Sequence, residues 1–308
     1  MDQDKEQDRP VLGIMLMLGF CVVAPMGDSL AKVIGQSLSL GQLLWCRFLV
    51  QVLVLIPLVW LTGRQWKMRG RVLRLTFIRT LLHIAGIGGM FTALRYLPLA
   101  DAVAIAFVMP FIMLLLGKFA LGEEVGPRRL IACAVGFCGT MLVVQPSFAD
   151  VGWPALWPLF VAVTFALFML VTRQIAKETD PVGLQMVSGA MAIAIMSPLL
   201  WLFSDDVAGL AMRLPDGREA LLLVGIGLFG TLGHLMMTWS LRFAPSATLA
   251  PMQYLEIPFA TAIGYVVFRD LPNGLASVGI LITVAAGLYV VLREHSVARR
   301  QMRVPPTA

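Results

Sequence analysis

Glu256 is the residue whose position most invites chemistry. It stands ten residues into the apolar run 246–268, and Pro258 follows two positions later. An ionisable side chain at the centre of a membrane helix costs about 2.5–3.5 kcal/mol on insertion scales, so its presence calls for a partner or a function. A carboxylate at that depth could take a cationic substrate group or a coupling proton. Pro258 lacks the amide that would bond the carbonyl of Tyr254, so an acceptor is expected to stay free beside the carboxylate. Gln253 precedes Glu256 by three residues and shares its helical face. The plainer alternative is a glutamate bonded to a neighbouring helix.

A second group lies near the N-terminus. Asp28 and Lys32 are four apart on one helical face and can pair, with Arg47 in the next apolar run as a further partner. The pair could exchange partners when substrate arrives, or could simply let both charges enter the bilayer. Arg79 and His83 are also four apart. Arg79 follows Arg74 so closely that it is expected at the interface, whereas His83 is deeper and could meet an anionic or aromatic substrate. Gln185, His234 and Trp239 complete the expected binding residues, with ordinary packing or interfacial anchoring as their alternatives. Pro110 and Pro258 are expected to kink their helices around a central cavity.

The elements that must position these residues follow from composition. Of 308 residues 58% are hydrophobic and 14% charged, with a mean hydropathy of +0.83. Soluble domains have about 25% charged residues, so lipid is the solvent for most of this chain. Apolar runs occupy 11–34, 41–61, 72–94, 100–119, 130–144, 153–170, 182–203, 220–241, 246–268 and 274–292. Ten runs at roughly 20 residues each predict ten transmembrane helices joined by short loops.

With the N-terminus inside, 17 of the 24 Lys and Arg fall in inside segments and four, Arg95, Arg213, Arg218 and Arg269, fall outside. That asymmetry fits ten spans with both termini cytoplasmic. The net charge of +6 has this same origin. No basic stripe with interleaved aromatics is present, so nucleic acid is not an expected partner. The four cysteines sit inside apolar runs without metal-ligand spacing, so neither a disulfide framework nor a metal or other cofactor is implied. The polar, acidic N-terminal segment does not resemble a cleaved signal, and the first run is expected to act as its own insertion signal.

Residues 93–101, ALRYLPLAD, match 240–248, SLRFAPSAT, at an offset of 147, and the same offset relates Glu123 to Asp270. Asp101 and Thr248 are of good N-cap type for the helices that they open. Five helices lie between the matched segments, so the second half must be inverted relative to the first, an arrangement on which alternating access can be built. The expected organisation is a cytoplasmic tail at 1–10, a first repeat at 11–148, a second at 149–293 and a cytoplasmic tail at 294–308.

These passages, with Leu121-Gly122-Glu123-Glu124, resemble the drug/metabolite transporter superfamily, in particular its ten-helix EamA type. Asp28, Lys32 and Arg47 resemble a pattern in a branch with members annotated for riboflavin or S-adenosylmethionine uptake. Arg269-Asp270 stands where the family usually has Gly-Glu. The resemblance implies a secondary transporter in the cell membrane (the inner membrane in a Gram-negative bacterium), carrying a small polar, zwitterionic or aromatic metabolite, or an amino acid. The expected partners are that small molecule, the lipid bilayer, and, as open alternatives, a coupling proton and a second copy in a homodimer. No Walker sequence, filter-like segment or nucleophile–base constellation is found. The rival readings are an intramembrane enzyme and a structural membrane protein without transport.

Overall fold

The computed structural model describes residues 9–122, 126–204 and 206–301. Glu123 and Glu124 of the repeat lie outside them, as do most of the N-tail and the end of the C-tail. Helices and short connections make up the described residues, and no strand occurs among them.

In chain order the α-helices are α1 (Pro10–Ile34), α2 (Leu40–Thr62), α3 (Gly70–Ala93), α4 (Leu99–Ala106), α5 (Met109–Leu121), α6 (Pro127–Val151), α7 (Trp157–Ile175), α8 (Pro181–Phe203), α9 (Gly217–Phe243), α10 (Ser246–Gln253), α11 (Glu256–Phe268) and α12 (Gly274–Gln301). Their starts carry familiar signals. Ser39 caps α2 through the Gln42 amide, Asp180 caps α8 ahead of Pro181, and Asp216 with Glu219 forms a capping box on α9. Seven helical stretches are long and apolar enough to cross a membrane, with α4 and α5 counted as one, and shorter apolar helical segments lie at Leu130–Leu142, Glu256–Phe268 and Gly274–Tyr289.

Two stretches expected as kinked helices each divide into two helices joined by a tight two-residue turn. α4 and α10 are each eight residues long, α5 and α11 each 13. The interruptions at Phe107-Val108 and Tyr254-Leu255 are 147 residues apart, and the rings of Phe107 and Tyr254 meet at 5.7 Å. Pro110 and Pro258 fall in the first turns of α5 and α11, where a missing amide leaves no intrahelical bond unmade. The residues that cap α4 and α10 are Pro98 and Pro245, not Asp101 and Thr248, which sit one turn further in.

Helix packing repeats with the same offset. α1 packs on α9 as α7 packs on α3, α1 on α11 as α7 on α5, and α4 on α11 as α10 on α5. α2 pairs with α8, and α6 with α12. Hydrogen bonds then sort the loops into two ends. At one, Arg64 donates to Asp180 at 2.8 Å, Arg71 to Glu178 at 2.8 Å, Arg242 to the Thr179 carbonyl at 2.9 Å, and the Arg9 amide to the Phe243 carbonyl at 2.8 Å. At the other, Gln36 donates to the Arg95 carbonyl, Arg95 to that of Leu38 and Arg213 to that of Ser37. The first end gathers the Arg- and Lys-rich loops and is called the basic end below.

Candidate functional site

A cavity with about 760 Å³ of empty volume, part of it open to the outside, lies among α1, α2, α3, α4, α5, α7, α9 and α11. Five phenylalanines, Phe20, Phe91, Phe107, Phe165 and Phe229, line it with aliphatic side chains and methionines. Its polar wall consists of Asp28, Arg47, His234 and Glu256. The cavity is displaced from the basic end: α3 starts there at Gly70 but contributes only Ile87, Met90 and Phe91. α7 starts at the opposite end and contributes Val161 and Phe165 from its first half.

Glu256 is the first residue of α11 and is 7% exposed. Breaking the helix at Leu255 places its carboxylate at the positive end of the α11 dipole. Its carboxylate makes no hydrogen bond or ion pair among the described residues. The expectation of a free Tyr254 carbonyl fails, because the amide of Ile257 bonds it at 3.3 Å in the tighter turn between α10 and α11.

Arg47 crosses from α2 to α9. Its Nη2 lies 3.1 Å from Nδ1 of His234, a nitrogen that is itself 2.9 Å from the Gly230 carbonyl. Gly230 makes this approach possible, since a Cβ there would lie 2.7 Å from Arg47 Nε and 2.9 Å from Nη2. Nη1 of Arg47 is buried and makes no hydrogen bond to protein. Asp28 on α1 and Glu256 on α11 line the same cavity as Arg47.

Below the cavity, toward the basic end, the interior closes in two layers. Rings form the first: His83 lies 5.2 Å from Phe48, 4.7 Å from Phe168 and 4.3 Å from His234. Arg79 forms the second, correcting its expected interfacial position. It is wholly buried, stacks at 4.4 Å on Phe168, and donates to Thr172 at 2.9 Å, Ser188 at 2.7 Å, the Gln185 side chain at 2.7 Å and Thr238 at 3.4 Å. These neutral oxygens come from α7, α8 and α9. They satisfy a cation whose burial unpaired and unbonded would be prohibitive.

Several expected binding residues stand elsewhere. Asp28 and Lys32 form no ion pair, because Lys32 reaches out to the Leu97 carbonyl at 2.6 Å and to Asp270 at 3.9 Å. Tyr254 is wholly buried against Gly136 and its hydroxyl donates to the Cys133 carbonyl at 3.3 Å, off the cavity. Gln253 lies between the sulfurs of Met113 and Met169. Gln185 serves Arg79 through its side chain and accepts from Gln51 through its carbonyl, at 2.7 Å. Trp239 joins a separate apolar cluster with Leu55, Val59 and Met186. His83 underlies the cavity without lining it. Sequence reasoning passed over Gln51 and the phenylalanine wall. For Arg79, the stripe Thr76, Thr80 and His83 was an available sign of a buried polar face.

A family model described as the EamA-like transporter family matches residues 11–145 and 152–293. The chain belongs to that family. This EamA-like transporter is accordingly a multi-pass membrane protein and not an enzyme. It is 23% identical over 289 residues to an S-adenosylmethionine uptake transporter of Rickettsia felis, covering 94% of this chain and 95% of that one. It is 27% identical over 224 residues to a riboflavin transporter of Rhizobium johnstonii, covering 70% and 69%. A crystal structure matches 96% of the chain and 98% of its own with a TM-score of 0.67 at 19% identity, a likeness of fold alone.

Proposed function

We propose that this chain is a secondary transporter that moves a small metabolite carrying a zwitterionic group and an aromatic ring across the cell membrane by alternating access. The observation that carries this reading is the cavity itself, where phenylalanines surround two carboxylates and a guanidinium. The phenylalanines offer faces to a planar ring. Asp28, Arg47 and Glu256 offer charges of both signs in surroundings that strengthen every ionic contact. The names of the two relatives support a ring-bearing metabolite.

Ten spans, in inverted halves 11–148 and 149–293, complete the proposal. The seven long helical stretches and three shorter apolar ones supply that number. Packing pairs that survive exchange of the halves support two equivalent bundles, and an odd number of helices per bundle inverts one against the other. Gathering of the Arg- and Lys-rich loops at one end supports both termini in the cytoplasm. In this orientation the cavity belongs to the outward-facing side, and Arg79 with its ring layer closes the cytoplasmic side.

Purified protein in vesicles, offered S-adenosylmethionine, riboflavin, aromatic amino acids and nucleosides with and without a pH gradient, tests the reading. Uptake of at least one compound is expected, falling about tenfold or more in Glu256→Gln, as loss of one buried charged contact implies. Gradient-driven accumulation lost in that variant would assign the coupling proton to Glu256. Absence of uptake across the panel, or full uptake by Glu256→Gln, would contradict the assignment.

A further inference from the structure

We infer that the cavity is a two-part site, with Asp28 and Arg47 holding the head of an amino acid and Glu256 holding a second, weakly hydrated cation, so that the preferred ligand carries net charge +1. The inference rests on the transport reading of the same cavity and specifies its substrate class. The argument starts from charge balance. Asp28, Glu256 and Arg47, side chains able to carry charge, line the space. Arg47 on α2 and Asp28 on α1 line the same cavity with opposite charges, so these two set a dipole along its wall. Glu256 has no ion-pair partner among the described residues, and the carboxylate that shares its cavity, Asp28, is of the same sign.

The other interior cations do not serve Glu256. Arg79 lies outside the cavity, stacked on Phe168 and bonded to Thr172, Ser188 and Gln185. Lys32 is turned to Leu97 and Asp270. The remaining titratable side chain beside Glu256, Cys21, directs its thiol toward the carbonyls of Met252 and Gln253, at 3.8 and 3.9 Å. A carboxylate more than nine-tenths buried, facing the cavity and lacking a counter-charge, is matched by a positive centre on the ligand.

The geometry assigns the ends. Arg47 lines the cavity, and its Nη1 is a buried donor with no protein acceptor, suited to one oxygen of a carboxylate. The adjacent Asp28 suits the ammonium of the same α-amino acid head. The second cation then meets Glu256 in a space otherwise walled by phenylalanine, methionine and aliphatic groups. Such walls accept no hydrogen bonds, so they favour a sulfonium or quaternary ammonium over a primary amine, and ring faces attract such cations. Two positive centres and one carboxylate give the ligand its net +1. A planar ring system attached to it would lie among the phenylalanines.

Two probes isolate this charge. S-adenosylmethionine and S-adenosylhomocysteine share the adenosine and the amino acid head, and differ by one methyl group and the sulfonium charge. Their affinities for the purified full chain in lipid nanodiscs are measured by calorimetry at pH 7.5. The sulfonium compound is expected to bind at least tenfold tighter. Glu256→Gln is expected to cut that ratio to within about threefold while leaving the affinity for the homocysteine compound nearly unchanged. Asp28→Asn, which removes a contact to the shared head, is expected to weaken both compounds alike. Equal affinities in the parent protein, no measurable binding of either, or a ratio that survives Glu256→Gln would each overturn the two-part site. Charge discrimination without vesicle uptake would refute the transport reading alone, and uptake without discrimination would refute only this inference.

Discussion

Lys32 and Arg79 show how far a side chain's task depends on residues distant in sequence. Spacing placed Lys32 on one face with Asp28, yet a lysine at the end of α1 has reach enough to find the Leu97 carbonyl and Asp270, 65 and 238 positions away. Arg79 resembled an interfacial residue because Arg74 is close by. The stripe Thr76, Thr80 and His83 marks a buried polar face, but the four acceptors lie between 93 and 159 residues further on, where local spacing does not reach. Glu256 and Asp28 were legible because charge in an apolar run is conspicuous, and the free donor on Arg47 was not, because it results from how α2 crosses α9. Gly230 belongs to this scale. Gly230→Ala brings a methyl within 3 Å of the Arg47 guanidinium, so Arg47 must move from the cavity wall. Substrate affinity is expected to fall about tenfold, with normal yield and a monodisperse elution profile. Unchanged affinity would mean that Arg47 needs no such placement.

Among the elements, the interrupted helices carry most of the site's geometry. Break points 147 residues apart were half legible: the repeat and the prolines were visible, but a proline two or three positions past a break reads in sequence as a kink. Interruption rather than bending puts Glu256 at the start of α11, where its charge is least costly. The same offset relates the residues that end α5 and α11, Gly122 and Arg269, both in left-handed conformation with φ of 64° and 61°. Glycine adopts this conformation freely, whereas a side chain costs about 1 kcal/mol or more. Arg269→Gly is therefore expected to stabilise the protein by about 1 kcal/mol, less whatever the contact between Arg269 and the Tyr265 ring contributes. A lowered thermal midpoint would contradict this account of the α11 terminus. The Arg79 tie predicts the opposite behaviour. Arg79→Ala removes four bonds joining α3 to α7, α8 and α9, and a loss of about 3 kcal/mol is expected, read as a clear drop in thermal midpoint. An unaltered midpoint would show that the layer is not a closure.

For the whole molecule, alternating access turns on asymmetry between two nearly equivalent bundles. Exchange of the halves preserves the packing pairs, but it relates Glu256 to Met109 and Arg79 to Ile226, so the charged cavity wall and the cytoplasmic closure each occur once. Composition, charge asymmetry and the internal repeat made the architecture readable from sequence. Its present direction of opening was not, because a sequence able to take two forms does not reveal which one the packing favours. The most direct test uses a cysteine at Met90, on the cavity wall, after replacement of Cys21, Cys46, Cys133 and Cys138. A membrane-impermeant thiol reagent should modify Met90→Cys from the face opposite the Arg64–Asp180 loops, and a transported compound should slow that reaction. Modification only from the face of those loops, or at a rate indifferent to the compound, would contradict an outward-facing substrate cavity between the halves.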